Sequence, residues 1–354
     1  MKRILLTGGG SAGHITVNLA LIPMLSESGW EIIYIGSIDG IEKELISKVK
    51  KVKYYGIATG KLRRYLDWQN FTDLFRVLKG ILEAYQIIRQ EKPRITFSEG
   101  GFVSVPAVLG SRLNGVLVIT HESDLTPGLA NRINIYSSQK ICTTFRETLN
   151  HLPQEKGKFI GAIVRPELKQ GKPEKGRIFA QLNSMKPVIL VVGGSLGSAY
   201  INEILRSLLD VLLEKFQIIH ICGKGNLKSN LKRKGYKQFV YVDSELPDVM
   251  SLADIVISRA GSNFIFEFLA LKKPMILIPL SSKSSRGDQI DNAMVFRNRG
   301  CAEVILEENL TKDSLLGTIH NVFNNKEKYI SNMDKSYEDC SLERLFNLIV
   351  SSAK

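Results

Sequence analysis

The chain has 354 residues, 44 % of them hydrophobic, enough for two ordinary domains with a core each, and a formal charge of +13 that favours anionic partners without choosing among nucleic acid, phosphorylated substrates and an anionic membrane. Cys142, Cys222, Cys301 and Cys340 are scattered, with no C-x-x-C pair and no Cys/His cluster, which argues against a zinc site or a disulfide framework and fits a reducing compartment. No apolar run nears the roughly 20 residues that span a bilayer, and Met1-Lys2-Arg3 leads straight into a strand, so a soluble or at most peripheral protein is expected. In chain order, "RILL" predicts a first strand, followed by a glycine turn and the helix "ITVNLALIPMLSESG". Strands are then expected at "EIIYIG", "RITFSEGG", "VLVITHES" and "KICTTF". After "GKFIGAIVRPELKQGKPEKG", a stretch with Gly, Pro and Lys, the pattern restarts with "PVILVVGGSLGS", "QIIHICGKG", "FVYVD", "DIVISRAGS", "PMILIPL" and "AEVIL". Such alternation of short apolar strands and helices predicts two doubly wound parallel sheets, joined by a linker near residues 160–178.

The first turn contains Gly8-x-Gly10-x-x-Gly13, the spacing of a dinucleotide-binding loop. Such a site also needs an acidic residue about 20 residues on, at the end of the second strand. Here Asp39 lies only in the following loop, so the dinucleotide reading is weak. His14, where the helix begins, points to other chemistry, because a helix dipole keeps a nearby imidazole neutral and able to act as a general base. In the second half, "VVGGSLGS" would converge backbone N–H groups and the Ser195 hydroxyl on a helix N-terminus, a ready pyrophosphate site. "SRAGSNFIFEF" repeats the device, with Gly261-Ser262-Asn263 opening a helix and Glu267 about one turn inside it, where a carboxylate could accept both hydroxyls of a ribose. "PLSSKSSRGDQIDNA" gathers Arg286, Asp288, Gln289 and Asn292 in one loop. Several polar loops at strand carboxyl ends mark the place where open α/β sheets bind ligands.

Seven stretches, "GGSAGH", "SEGGFVSVP", "HESDLTPGLAN", "GAIVRPE", "GGSLGS", "SRAGSNFIFE" and "RGDQIDNA", occur over nearly the whole chain in an order and spacing that resemble the MurG family of UDP-N-acetylglucosamine:lipid-linked muramoyl-peptide N-acetylglucosaminyltransferases. The resemblance implies an α/β GT-B glycosyltransferase, two Rossmann-like doubly wound parallel-sheet domains with a cleft between them: an acceptor domain over 1–162, a UDP-N-acetylglucosamine domain over 163–335, and a C-terminal helix in 336–354 that returns to the first. It also implies that Arg165 and Ser195 bind the nucleotide and its diphosphate, and that Ser262, Asn263 and Phe264 form the loop over the phosphates. Glu267 would hold the ribose, and Asp288 and Gln289 would read the sugar hydroxyls. The turns containing Gly10, Ser11 and Gly13 and containing Gly100 and Gly101, with Asn131, would carry the acceptor, an undecaprenyl-diphosphate-linked muramoyl peptide. Departures from the common pattern are Gly-Gly-Ser-Ala-Gly-His for Gly-Gly-Thr-Gly-Gly-His, Val17 for a frequent Pro, Asp124 after "HES" where many members have Asn after "HEQ", and "AGSNFIFE" for "SGALTVSE".

The implied reaction inverts an α-linked donor to a β-1,4 product, so it needs one base and no covalent intermediate. His14 is the first candidate, as the base or as a group holding the acceptor diphosphate, against a role that only orders the loop, and Asp124 is the second candidate base. The departing diphosphate gains charge, which helix N-termini and Arg165 can stabilise without a metal or cofactor, and the chain contains no Asp-x-Asp metal clamp. His121 and Glu122 read equally as structural or functional, and His220 in "IIHICGKG" reads as a satisfied core histidine. Between residues 46 and 95 there are twelve Lys/Arg against four Asp/Glu. Within it Phe71, Phe75, Leu78 and Ile81 recur at helical spacing beside Arg63, Arg64 and Lys79. That pattern is either a core-facing stripe or a peripheral contact with the anionic cytoplasmic face of a cell membrane. Two other classes stay open on the residues alone: a UDP-N-acetylglucosamine 2-epimerase on the same fold, and a non-catalytic nucleotide-binding protein. No nucleic-acid module is present to make nucleic acid a partner.

Overall fold

A computed structural model of the chain describes residues 2–60, 68–182, 185–194, 197–282, 285–336 and 342–353, without the side chains of residues 12 and 68–72. The chain divides into two compact units, Met1–Ile163 with Asp339–Lys354, and Val164–Glu338. The first unit contains strands β1 (Lys2–Thr7), β2 (Trp30–Ser37), β3 (Val52–Ile57), β4 (Ile95–Ser98), β5 (Leu117–Glu122), β6 (Lys140–Thr143) and β7 (Gly157–Phe159). Its helices are α1 (Thr16–Glu27), α2 (Ile41–Ser47), α3 (Trp68–Glu91), α4 (Ser104–Leu113) and α5 (Leu129–Ser137). All its strands are parallel, in the order β3-β2-β1-β4-β5-β6-β7.

Successive side chains of a strand leave opposite faces, and β1 shows the consequence. Ile4 and Leu6 pack with Leu21 and Leu25 of α1, while Leu5 joins Ala84 and Ile88 of α3 and Ala107 of α4 on the other face. Helices on both faces of a parallel sheet make its central strands apolar throughout, the property that made them legible. β3 and β7 were not among the expected strands. Both are edge strands, partly exposed and lysine-bearing (Lys53, Lys158), and edges that discourage intermolecular pairing carry such residues.

The second unit has β8 (Val188–Val192), β9 (Gln217–Ile221), β10 (Tyr236–Phe239), β11 (Ile255–Ser258), β12 (Met275–Leu277) and β13 (Ala302–Val304), parallel and in the order β10-β9-β8-β11-β12-β13. Around them lie α6 (Pro173–Phe179), α7 (Ala199–Ser207), α8 (Leu209–Lys215), α9 (Leu246–Leu252), α10 (Ser262–Ala270), α11 (Asp288–Asn298), α12 (Lys312–Asn324) and α13 (Lys326–Ser336). β10 ends where the apolar run "FVYVD" was expected to form a strand: Tyr241 is 64 % exposed, whereas Tyr236 is buried against His220 of β9. The last helix, α14 (Leu342–Ser352), packs Leu345 and Ile349 into the core of the first unit beside α1.

Candidate functional site

In the first unit the strand order reverses between β1 and β4, so the chain leaves the two strand ends in opposite directions and opens a crevice there. Both exits are glycine turns, and they interlock. A Cβ on Gly101 (φ +77°) would stand 2.2 Å from the Gly9 carbonyl oxygen and 3.1 Å from Cδ2 of His14, and one on Gly10 (φ +83°) would stand 2.3 Å from the Phe102 ring. A Cβ on Gly100 would meet the Asn131 amide at 2.8 Å. The backbone thus brings Gly10, His14, Gly100, Gly101 and Asn131 together, while the Ser11 carbonyl accepts from His14 N (3.2 Å) across the turn that contains Gly13.

His14 ends a 3-10 turn, Ala12–His14, and α1 begins at Thr16, so the imidazole precedes the helix instead of sitting in its first turn. Its tautomer is set by a contact with the end of β4. Nδ1 lies 3.1 Å from the main-chain carbonyl of Glu99, and a carbonyl only accepts. The neutral ring therefore carries its proton on Nδ1 and its lone pair on Nε2. The N–H groups of Val17 and Asn18 in α1 donate to the two carboxyl oxygens of Glu99, each at 2.9 Å. Where a dinucleotide loop receives a pyrophosphate, this chain places its own acidic side chain. Glu42 completes the closure, accepting from Gly10 N (3.2 Å) and Ser37 N (2.9 Å). Burial pushes the Glu99 carboxyl up to about 8 against the pull of the two N–H bonds.

Beyond β5, Glu122 accepts from Asp124 N (2.9 Å), Gly128 N (3.2 Å) and the Asn131 amide (2.9 Å), so it shapes the loop that presents Asp124. His121 is buried with Nε2 3.0 Å from the Thr144 hydroxyl; burial, then the charge of His14, lower its pKa to about 4, while Asp124 opposes them. These couplings put both candidate bases, His14 and Asp124, in the electrostatic reach of one buried histidine.

The second unit repeats the layout at its own reversal, between β8 and β11. Ser198 caps α7, accepting from Ile201 N at 3.4 Å, and Gly197 (φ +75°) approaches the Cys222 carbonyl so closely that a Cβ would stand 2.0 Å from it. Ser195 lies outside the described residues. Arg259, at the end of β11, holds this loop from below: it donates to Ser198 Oγ (2.8 Å), to the carbonyls of Ile278 (3.1 Å) and Pro279 (3.2 Å), and to Glu307. Ser262 opens α10, whose cap residue Gly261 offers no side-chain acceptor, and Phe264 packs its ring 5.7 Å from that of Phe268. Asn263 occupies the same first turn.

Glu267 and Arg165 pair with each other in a two-pronged contact, Nε to Oε1 at 2.8 Å and Nη2 to Oε2 at 3.1 Å. Burial raises the Glu267 pKa and the guanidinium opposes it. The first turn of α11 carries Asp288, 3.4 Å from Arg286, and Gln289, whose Oε1 accepts from Leu280 N at 3.1 Å and so leaves its NH2 end as a donor. Asn292 ties the same helix to the Ala260 carbonyl at 3.4 Å. His220 is the satisfied core residue expected, with Nε2 donating to Asn202 Oδ1 (2.8 Å) and Nδ1 accepting from Tyr236 (2.9 Å); burial, reinforced by Arg206, lowers its pKa to about 3.

Residues 4–143 match the glycosyltransferase family 28 N-terminal domain and residues 188–345 its C-terminal domain. A UDP-N-acetylglucosamine–N-acetylmuramyl-(pentapeptide) pyrophosphoryl-undecaprenol N-acetylglucosamine transferase of Geobacillus thermodenitrificans is 56 % identical over 354 residues, 100 % of this chain and 99 % of the relative. The chain belongs to the MurG family. A relative of the same name from Clostridium tetani is 53 % identical over 98 % of this chain and 97 % of its own. The crystal structure of Acinetobacter baumannii MurG superposes with a TM-score of 0.77 at 21 % identity, covering 99 % of this chain and 100 % of that one, and shares its GT-B fold.

For this MurG-family chain, α3 departs from the expected stripe. Its buried face is Asp73, Val77, Gly80, Ala84 and Ile88, and Ile81 is partly buried. The exposed apolar residues are Leu74, Phe75 (65 % exposed), Leu78 (51 %) and Leu82 (64 %), beside exposed Lys79 and Arg76. Arg63 and Arg64 lie outside the described residues, as does the Phe71 side chain. The sequence pattern overlooked Glu99, Glu42 and Arg259. Glu99 and Arg259 are charged residues directly following the apolar strands β4 and β11, and that placement was the available signal.

Proposed function

We propose that this chain transfers N-acetylglucosamine from UDP-N-acetylglucosamine to the 4-hydroxyl of undecaprenyl-diphospho-N-acetylmuramyl-peptide, with inversion at C1. Full-length identity of 56 % to a relative named for that transfer carries the reading, since fold alone would fit many chemistries. On the acceptor side His14 Nε2 takes the proton of the attacking hydroxyl, with Asp124 as the second candidate, and Asn131 with the turns containing Gly10, Ser11, Gly13, Gly100 and Gly101 seats the acceptor and its diphosphate. On the donor side the glycine loop containing Ser195 and the first turn of α10, with Ser262, Asn263 and Phe264, hold the diphosphate. Arg165 stabilises the charge that grows on the leaving UDP. Glu267 keeps two lone pairs per oxygen, one engaged by Arg165, so the others can take the ribose hydroxyls. Asp288 and the NH2 donor of Gln289 read the sugar.

The acceptor is a membrane lipid, and among the described residues no helix is long and apolar enough to cross a membrane. Leu74, Phe75, Leu78 and Leu82 with Lys79 and Arg76 therefore serve as a peripheral contact with an anionic cytoplasmic leaflet, each cation contributing about 1 kcal/mol there. The reaction is tested by incubating the purified chain with UDP-N-acetylglucosamine and the lipid-linked muramoyl acceptor. UDP should appear only when both are present. Conversion of the nucleotide sugar without acceptor would instead favour the epimerase.

A further inference from the structure

Glu99 uses every polar group it has at the junction under His14. Its N–H donates to the Thr7 carbonyl (2.9 Å) at the end of β1, its carbonyl accepts from His14 Nδ1 (3.1 Å), and its two carboxyl oxygens accept from Val17 N and Asn18 N (2.9 Å each). The residue is 1 % exposed, so none of these bonds competes with bulk water. The carboxyl anchors the residue to α1, and that anchoring fixes where the main-chain carbonyl points. The carbonyl in turn selects the imidazole tautomer and ring orientation. We propose that Glu99 is a positioning residue for His14, holding the imidazole with Nδ1 protonated and the lone pair on Nε2. The inference rests on the reading of His14 as the base.

The charged and titratable groups around this junction are few. α1 contributes none in its first turn (Thr16, Val17, Asn18). Tyr34 of β2 donates to the Gly8 carbonyl (2.8 Å), and burial, then the charges of Glu99 and Glu42, raise its pKa. Glu42 of α2 lies under the same glycine turn, and His121 of β5 interacts electrostatically with His14 and with Asp124.

The test compares Glu99→Ala, Glu99→Gln and Val17→Pro, which deletes one of the two N–H donors, with wild type and with His14→Ala. Three readouts are taken: kcat and KM against pH for each substrate, the imidazole nitrogen shifts of uniformly 15N-labelled protein, and circular dichroism as the folding control. With five histidines the nitrogen spectrum is assignable. Glu99→Ala should lower kcat at least about tenfold and shift its acid limb, leave the KM for UDP-N-acetylglucosamine unchanged, and move the His14 signal from a single Nδ1-H tautomer to a mixture. Glu99→Gln, which keeps one acceptor oxygen, should recover part of the rate, and Val17→Pro should fall between. A folded Glu99→Ala protein with wild-type kcat and an unshifted His14 tautomer overturns the inference while His14→Ala is inactive. A nearly fully active His14→Ala protein overturns the base reading itself, and the nitrogen spectrum then still reports whether Glu99 sets the tautomer.

Discussion

The buried Glu99 carboxyl makes the stability of the first unit depend on pH in a direction opposite to that of a salt-bridged acid. Two effects compete at this group: burial favours the neutral form, and the Val17 and Asn18 N–H bonds favour the charged one. Burial wins, and the folded-state pKa is about 8 against an ordinary value of 4.5. An unfolded chain gives up this proton near 4.5, whereas the folded chain keeps it until about 8, so the folded state binds more protons throughout that window. Stability contributed by this group is therefore full below pH 4.5 and is lost as pH rises through the folded-state pKa. At about 1.4 kcal/mol per pH unit the loss approaches about 5 kcal/mol, an upper bound because water entering the junction would reduce it. Glu99→Gln has nothing to ionise, and its one lost acceptor costs about 1 kcal/mol at every pH. Both tryptophans, Trp30 and Trp68, belong to the first unit, so urea unfolding followed by tryptophan fluorescence reports that unit. The variant should be slightly less stable than wild type at pH 4.5 and gain on it steadily up to about pH 8.5. Parallel stability curves would show that the N–H bonds prevail and that Glu99 is ionised in the fold.

Arg165→Met should destabilise the second unit by about 3–5 kcal/mol, because it leaves the Glu267 carboxyl, only 3 % exposed, without its partner; the double variant with Glu267→Gln should recover most of this in calorimetric unfolding, and additive losses would deny the coupling. Gln289→Ala should leave UDP affinity unchanged by titration calorimetry while raising the KM for the nucleotide sugar, and equal losses for both ligands would remove the sugar assignment. Phe75→Ser with Leu78→Ser and Lys79→Gln should release the protein from anionic vesicles and raise the KM for the lipid acceptor only. Val77→Ser, on the buried face of the same helix, should lower thermal stability without such selectivity; if the surface triple variant sediments with vesicles as wild type does, α3 is not the contact.

The central strands were legible because parallel strands covered on both faces must be apolar along their length, and "RILL", "VILVV" and "DIVIS" announce themselves by composition. The glycine turns were legible for a related reason, since at Gly101 a Cβ would stand 2.2 Å from the Gly9 carbonyl oxygen and no side chain is admitted. Edge strands β3 and β7 were not, because an edge is selected to look polar. The apolar residues of α3 could be counted in the sequence, but periodicity alone did not identify the outward face. Gly80, Ala84 and Ile88 face the sheet and the larger Phe75, Leu78 and Leu82 are left outside, because close approach to the Ala58 carbonyl tolerates only a glycine at position 80. Tertiary structure alone decided the chemistry around His14. The motif put an imidazole next to a helix, but its tautomer depends on a carbonyl 85 residues away, and the helix N-terminus that a glycine motif advertises to phosphate is occupied by the side chain of that same residue. Hydrogen-bond partners so distant in sequence become neighbours only because β1 and β4 lie side by side in the sheet.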